Sequence, residues 1–128
     1  DSMDDLDAAG NAILKGIGAK ATDQLAPTVL YHDIIEDISD QHAIILNRSR
    51  DGSILVPGTA LLIYELAPAL FACVAANEAE KVAPGATIHD VQMMGATGRI
   101  FMSGSLEDMT VARDRITEVL TSIKGRKG

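Results

Sequence analysis

Within a dozen residues the chain gathers a phenol, two imidazoles and four carboxyl groups: Tyr31-His32-Asp33, Glu36-Asp37, Asp40 and His42. Carboxylate oxygens and imidazole nitrogens are what a divalent metal takes, and the same groups serve general acid–base chemistry. Their spacing argues against both uses. Read as a strand, Thr28–Ile38 places His32, Ile34, Glu36 and Ile38 on one face, and Asp33, Ile35 and Asp37 on the other. The donors are split, and no two-histidine helix motif is present. A solvated or interface strand is the simpler reading. The single Cys73 lies in an Ala-rich segment with no neighbouring base or cation to make a thiolate. It is expected to face the sheet as inert core. His89 and Asp90 are adjacent on a predicted strand and so point to opposite faces, which disfavours a dyad there. Met93 and Met94 suit gap-filling better than metal binding. No Gly-rich phosphate loop joins a strand to a helix, and no cysteine pairs exist for zinc. No catalytic residue, cofactor or metal is expected.

The elements that would carry these residues fit one domain of 128 residues with a net charge of −7. The acidic balance disfavours nucleic acid and anionic membrane surfaces. No apolar run approaches the roughly 20 residues that cross a bilayer. A single cysteine and no recognisable signal segment point to a reducing cytoplasm. Hydrophobic residues make up 47% of the chain but aromatic ones only 3%. The interior must therefore be built of small aliphatic side chains, which favour close approach of helices and sheets over aromatic-lined pockets.

Along the chain, residues 4–17 read as a helix, with Leu6, Ile13, Leu14 and Ile17 on one face and Ser2 with Asp5 as a capping box. Thr28–Ile38 is predicted as a strand. Ala43–Leu46 and Ser53–Val56 are predicted as the arms of a hairpin turned at residues 47–52. The nearly continuous apolar run Thr59–Leu66 suits a central strand buried on both faces. Pro68 opens an Ala-rich helix over Ala69–Val82, ended by Pro84-Gly85. Thr87–Met94 is a strand, residues 95–98 a turn and Arg99–Ser103 a strand. Ser105 and Asp108 cap a last helix lined by Met109, Ala112, Ile116, Val119 and Ile123. No strong internal repeat is evident. The expected class is α+β: an antiparallel or mixed sheet with helices packed on it, plus an extra N-terminal helix and β-hairpin.

From about Ala60 to Ile123 the chain resembles the bacterial microcompartment (BMC) shell domain. The features are Leu62-Ile63-Tyr64-Glu65 as first strand and Pro68-Ala69 opening the next helix. Ala75-Ala76-Asn77-Glu78-Ala79-Glu80-Lys81 follows, similar to the family's Ala-Ala-Asp, three variable residues, then Lys. Met94-Gly95-Ala96-Thr97-Gly98-Arg99 stands at the family's Gly-containing turn. Ile100–Ser105 resembles the strand ending in Gly-Asp. Asn77 and Ser105 replace the usual aspartates, and both still accept hydrogen bonds. The leading 58 residues depart from the standard order in a manner compatible with a circularly permuted member.

The resemblance implies a single domain over residues 1–128. Residues 59–124 would be its core, residues 1–58 a permuted or extended part, and residues 124–128 a flexible tail. It implies a homo-oligomeric, hexameric or trimeric pseudo-hexameric tile that meets other shell proteins edge to edge around encapsulated enzymes. It implies that Lys81, with Asn77, lies at the inter-tile edge, and that Gly95, Ala96, Thr97 and Gly98 surround a central pore. Two other classes fit the same elements: an oligomeric ferredoxin-like regulatory module that binds a small molecule, and an accessory subunit of a metabolic enzyme.

Overall fold

The computed structural model describes residues 2–48 and 55–128. The chain forms two compact units, Pro27–Ile123 and Asp1–Ala26 with Lys124–Gly128.

The larger unit is a four-stranded sheet in the order β1-β2-β4-β3, antiparallel throughout. Its strands are β1 (Thr28–Ile35), β2 (Ala60–Ala67), β3 (Thr87–Met94) and β4 (Thr97–Gly104). The apolar run in β2 is explained by its place between β1 and β4, with helices α3 (Phe71–Val82) and α4 (Leu106–Ser122) over one face. Leu62, Tyr64 and Leu66 point to that face. They pack with Ile100 and Met102 of β4 against Ala72, Ala75, Ala76 and Ala79 of α3 and Met109, Ala112, Ile116 and Leu120 of α4. The four alanines recur at helical spacing and form a flat stripe, so α3 seats close to the strands. Close seating has a requirement in β4. A Cβ on Gly98 would stand 2.6 Å from the Ala69 carbonyl oxygen and 2.7 Å from the Ala72 Cβ. Ser105 caps α4, accepting the Asp108 amide at 3.0 Å.

The opposite face of β2 carries Leu61, packed with Ile38, Ala43 and Leu55. Here the structure corrects the expected hairpin. Ala43–Leu46 lies within α2 (Asp40–Asn47), started by Ser39, whose hydroxyl accepts the His42 amide at 3.2 Å. A good cap and a first-turn aspartate favour the helix over a strand arm that has no ladder partner. Of the second arm, Ser53 and Ile54 lie outside the described residues, and Leu55 and Val56 form no strand. The two segments still meet. The Asn47 side-chain amide donates to the Leu55 carbonyl at 3.0 Å and accepts its N–H at 2.8 Å, pairing one backbone unit as a strand neighbour would. The predicted strand Thr28–Ile38 also ends early, at Ile35, because Asp37 takes φ 50° and turns Ile38 into the core.

In the smaller unit, α1 (Met3–Ile17) carries the expected capping box: Ser2 Oγ accepts the Asp5 amide, and Asp5 accepts the Ser2 amide at 3.0 Å. Gly18, at φ 70°, closes its C-terminal end. No residue of α1 is buried. Residues 124–128, expected as a flexible tail, are tied back at Arg126. Its N–H donates to the Gln24 carbonyl at 3.0 Å, and its carbonyl accepts the Ala26 N–H at 2.9 Å. Among the described residues no helix is long and apolar enough to cross a membrane.

Candidate functional site

The turn between β3 and β4 is tighter than the sequence suggested. Met94 and Thr97 are the last paired residues, so only Gly95 and Ala96 form the loop. Gly95 has φ 61°, and a Cβ there would meet nothing within 4 Å. Glycine at the first central position of a two-residue hairpin loop matches the strand twist at no steric cost. Gly95 and Ala96 are exposed, Thr97 is half-buried and Gly98 is buried. Thr97 and Gly98 therefore belong to β4. The two glycines answer different demands: Gly95 the backbone of the turn, Gly98 the approach of α3.

Asn77 and Lys81 stand one turn apart on the outward side of α3, both exposed. Gly98 touches the start of that helix and Lys81 lies in its last turn. At 1.5 Å per residue, Ala72 and Lys81 are separated by about 14 Å along the axis. The turn and Lys81 thus occupy opposite ends of α3. Lys81 Nζ is 2.6 Å from Glu78 Oε1. Glu78 Oε2 also accepts from Arg115 of α4 at 2.7 Å, and Arg115 reaches Glu118 at 3.1 Å. Together these side chains rim an open groove of about 490 Å³ between the two helices, with Val82 and Val111 in its lining. The hydrogen bonds from Lys81 and Arg115 hold the Glu78 carboxyl below the usual carboxylate range. A lowered carboxylate contributes stability above its unfolded value and loses it as pH falls through the folded one. Glu78→Gln is therefore expected to flatten the acid limb of a melting-temperature profile below about pH 4.5. Above pH 6 it should leave the profile nearly parallel to wild type. An unchanged acid limb would show that the α3–α4 charge network carries no folding free energy.

Two further features were not singled out from sequence. Arg99 and Glu65 are register partners on β4 and β2, and the guanidinium donates twice to Glu65 Oε2, at 3.0 and 3.3 Å. Arg115 bridges two helices. Its signal was available: Ala75 and Ala79, and Ala112 and Ile116, fix the inward faces, which leaves Glu78 and Arg115 flanking the contact.

The polar cluster is divided, but between elements rather than between the faces of one strand. His32, Asp33 and Glu36, expected on opposite faces, line one open groove of about 390 Å³ with Arg113 of α4, because β1 ends at Ile35, while Asp40 and His42 belong to α2, whose Ala43 packs on the other face of the sheet. His32 stacks on Tyr64 at a centroid distance of 5.5 Å. Asp33 accepts from the Tyr31 hydroxyl and the Ile34 amide, and its charge pushes the Tyr31 phenol up. His89 sits at a bulge in β3 with Nε2 2.6 Å from the buried Ser103 hydroxyl, and Asp90 accepts from Gln92. Cys73 is a correction: it is exposed, because the stripe of Ala72, Ala75, Ala76 and Ala79 turns it outward. Among the described residues no three of His, Cys, Asp and Glu gather closely enough to hold a metal.

No family model matches the chain. Among solved structures, it superimposes on the double-ringed trimeric shell protein MSM0271 from the RMM microcompartment with a TM-score of 0.96 and 60% identity. That match covers 99% of this chain and 63% of the other. The fused permuted hexameric shell protein MSM0275 from the same microcompartment gives 0.90 and 37%, over 99% and 62%. Among curated proteins, the carboxysome shell protein CcmP of Synechococcus elongatus is 35% identical over 119 residues, 93% of this chain and 55% of that protein. The chain thus spans between about half and two-thirds of the length of these relatives.

Proposed function

This chain carries a bacterial microcompartment shell domain, and from that premise we propose that it is a structural tile rather than an enzyme. Copies associate around a common axis into a hexameric or trimeric pseudo-hexameric ring. Rings join other shell proteins edge to edge in the cytoplasm, enclosing a set of enzymes. The observation that carries this reading is the overlay of 99% of the chain on a ring-forming shell protein at 60% identity.

The geometry supports two roles within the ring. The Gly95-Ala96 turn, with Thr97 and Gly98 behind it, surrounds the axis. Small exposed residues there let several backbones converge and offer amide groups to a crossing solute. Asn77 and Lys81, at the far end of α3, meet the neighbouring tile. Lys81 lays its stem along that neighbour while its ammonium reaches a carbonyl. Light scattering and negative-stain imaging test the whole reading: rings of six-fold or pseudo-six-fold outline are expected, and a monodisperse monomer at micromolar concentration would overturn it.

Lys81→Ala separates ring from sheet. The Lys81–Glu78 pair is exposed, so its loss should change subunit stability by no more than about 0.5 kcal/mol. Each ring repeats the edge contact on every side, so sheet formation is expected to fall sharply while ring size is unchanged. Sheets as extensive as those of wild type would remove Lys81 from the edge.

A further inference from the structure

As gap-fillers, Met93 and Met94 would be buried, and they are not. Met102 and Met109 fill the main core at 0% exposure, whereas Met93 and Met94 are 52% and 50% exposed. They are the last two residues of β3, on opposite faces of it, immediately before the Gly95-Ala96 loop. Neither has an apolar partner across the ladder: Met93 stands opposite Gly98 and Met94 opposite Thr97. β3 is an outer strand of the sheet, so no further strand flanks them. Neither belongs to a core cluster of the described residues.

Residues 93–98 carry no charge. The nearest charged side chains along the two strands are engaged, Arg99 with Glu65 and Asp90 with the Gln92 amide at 2.7 Å. The Met94 carbonyl, a group that could receive a cation, accepts the Thr97 hydroxyl at 3.4 Å. What the end of the hairpin offers is two thioethers, an alanine methyl and the loop's amides. A thioether is a weak acceptor and no donor, and its three rotatable bonds let it fit differing shapes.

We infer that Met93 and Met94 are the specificity-determining residues of the proposed pore, admitting small uncharged organic molecules and rejecting ions. The inference rests on the pore reading of the turn and deepens it. Every copy around the axis brings both side chains, one from each face of its β3, so thioethers collar the opening on both sides of the loop. An ion entering such a collar sheds water that neither thioethers nor a few amides replace. A neutral solute has less hydration to lose and gains dispersion contact with polarizable sulfur. The net charge of −7 opposes anions further.

Substituted-cysteine accessibility on rings of the intact protein tests it, with position 94 read by peptide mass spectrometry. Met94→Cys is treated with methyl methanethiosulfonate, which is neutral, and with its sulfonatoethyl and trimethylammonioethyl analogues, an anion and a cation. Each rate is divided by that reagent's rate with free cysteine. In rings the neutral reagent is expected to lead both charged ones by about ten-fold or more. Adding Met93→Glu should raise the cation's rate by about ten-fold, and Met93→Leu should leave all three rates unchanged. Equal normalised rates in rings overturn the inference. So does a Met93→Glu ring as selective as its parent, or a selectivity that survives dilution to single polypeptides, because the collar would not then be its source. Negative-stain images of the same samples keep the two readings apart. Rings without charge selectivity sink only this inference, whereas the absence of rings sinks the tile as well.

Discussion

Gly98→Ala is expected to lower stability by about 1–3 kcal/mol and Gly98→Val by more, through overpacking against α3. At 2.6 Å from a carbonyl oxygen and 2.7 Å from an alanine methyl, the added Cβ meets nothing that can rotate away. Relief requires the start of α3 to lift from β4, and Ala72, Ala75 and Ala76 would lose contact with Ile100 and Met102 in turn. Gly95→Ala is the control. It meets open space and pays only for a left-handed backbone, about 1–2 kcal/mol. Chemical denaturation of both variants decides the matter, and a Gly98→Ala midpoint equal to wild type would mean that α3 is not held as close as the geometry has it. The contrast bears on any test of the proposed pore: a bulky residue at position 98 damages the subunit itself, so Ala96 and Thr97 are the positions that probe the proposed axis alone.

Tyr64→Ala should cost about 3–5 kcal/mol, the range for removing a buried aromatic side chain. Tyr64 is fully buried at the centre of the main core. Its hydroxyl is also placed: Thr117 Oγ1 lies 2.8 Å away and itself donates to the Arg113 carbonyl at 2.9 Å. With the threonine proton committed to that carbonyl, the tyrosine must be the donor. Burial raises the phenol's pKa and keeps that proton in place at neutral pH. Tyr64→Phe should therefore lose only about 1 kcal/mol. A double-mutant cycle with Thr117→Val should show positive coupling. Equal losses for Phe and Ala at position 64 would contradict the packing role.

The strongest sequence signals were those in which one physical demand acts alone. The run through Leu61, Leu62 and Leu66 meets the need of a strand covered on both faces. The serines before α1 and α4 satisfy helix amides that nothing else could reach. Where demands competed, sequence was ambiguous. Ala43-Ile44-Ile45-Leu46 is too short to distinguish a period of two from one of 3.6, and the cap at Ser39 decided it. Gly98 looked like part of a turn because glycine serves turns and close packing alike. Cys73 was assigned inward from the general habit of thiols, although the alanine stripe already excluded it. The Glu65–Arg99 pair depends on strand register, which only the folded sheet sets.

Both outer strands of the sheet are irregular. The pairing of β1 slips between Val29 and Tyr31, and that of β3 between Ile88 and Asp90. A subunit crowded against its copies in a flat array risks joining them through unpaired backbone edges, a route that ends in fibrils rather than in separable tiles. Bulges twist an edge away from a straight partner and interrupt its ladder. The main-chain route to association is thereby blunted at each rim of the sheet. In the proposed tile, contacts between copies then fall to side chains, which can be reversed, re-registered and corrected.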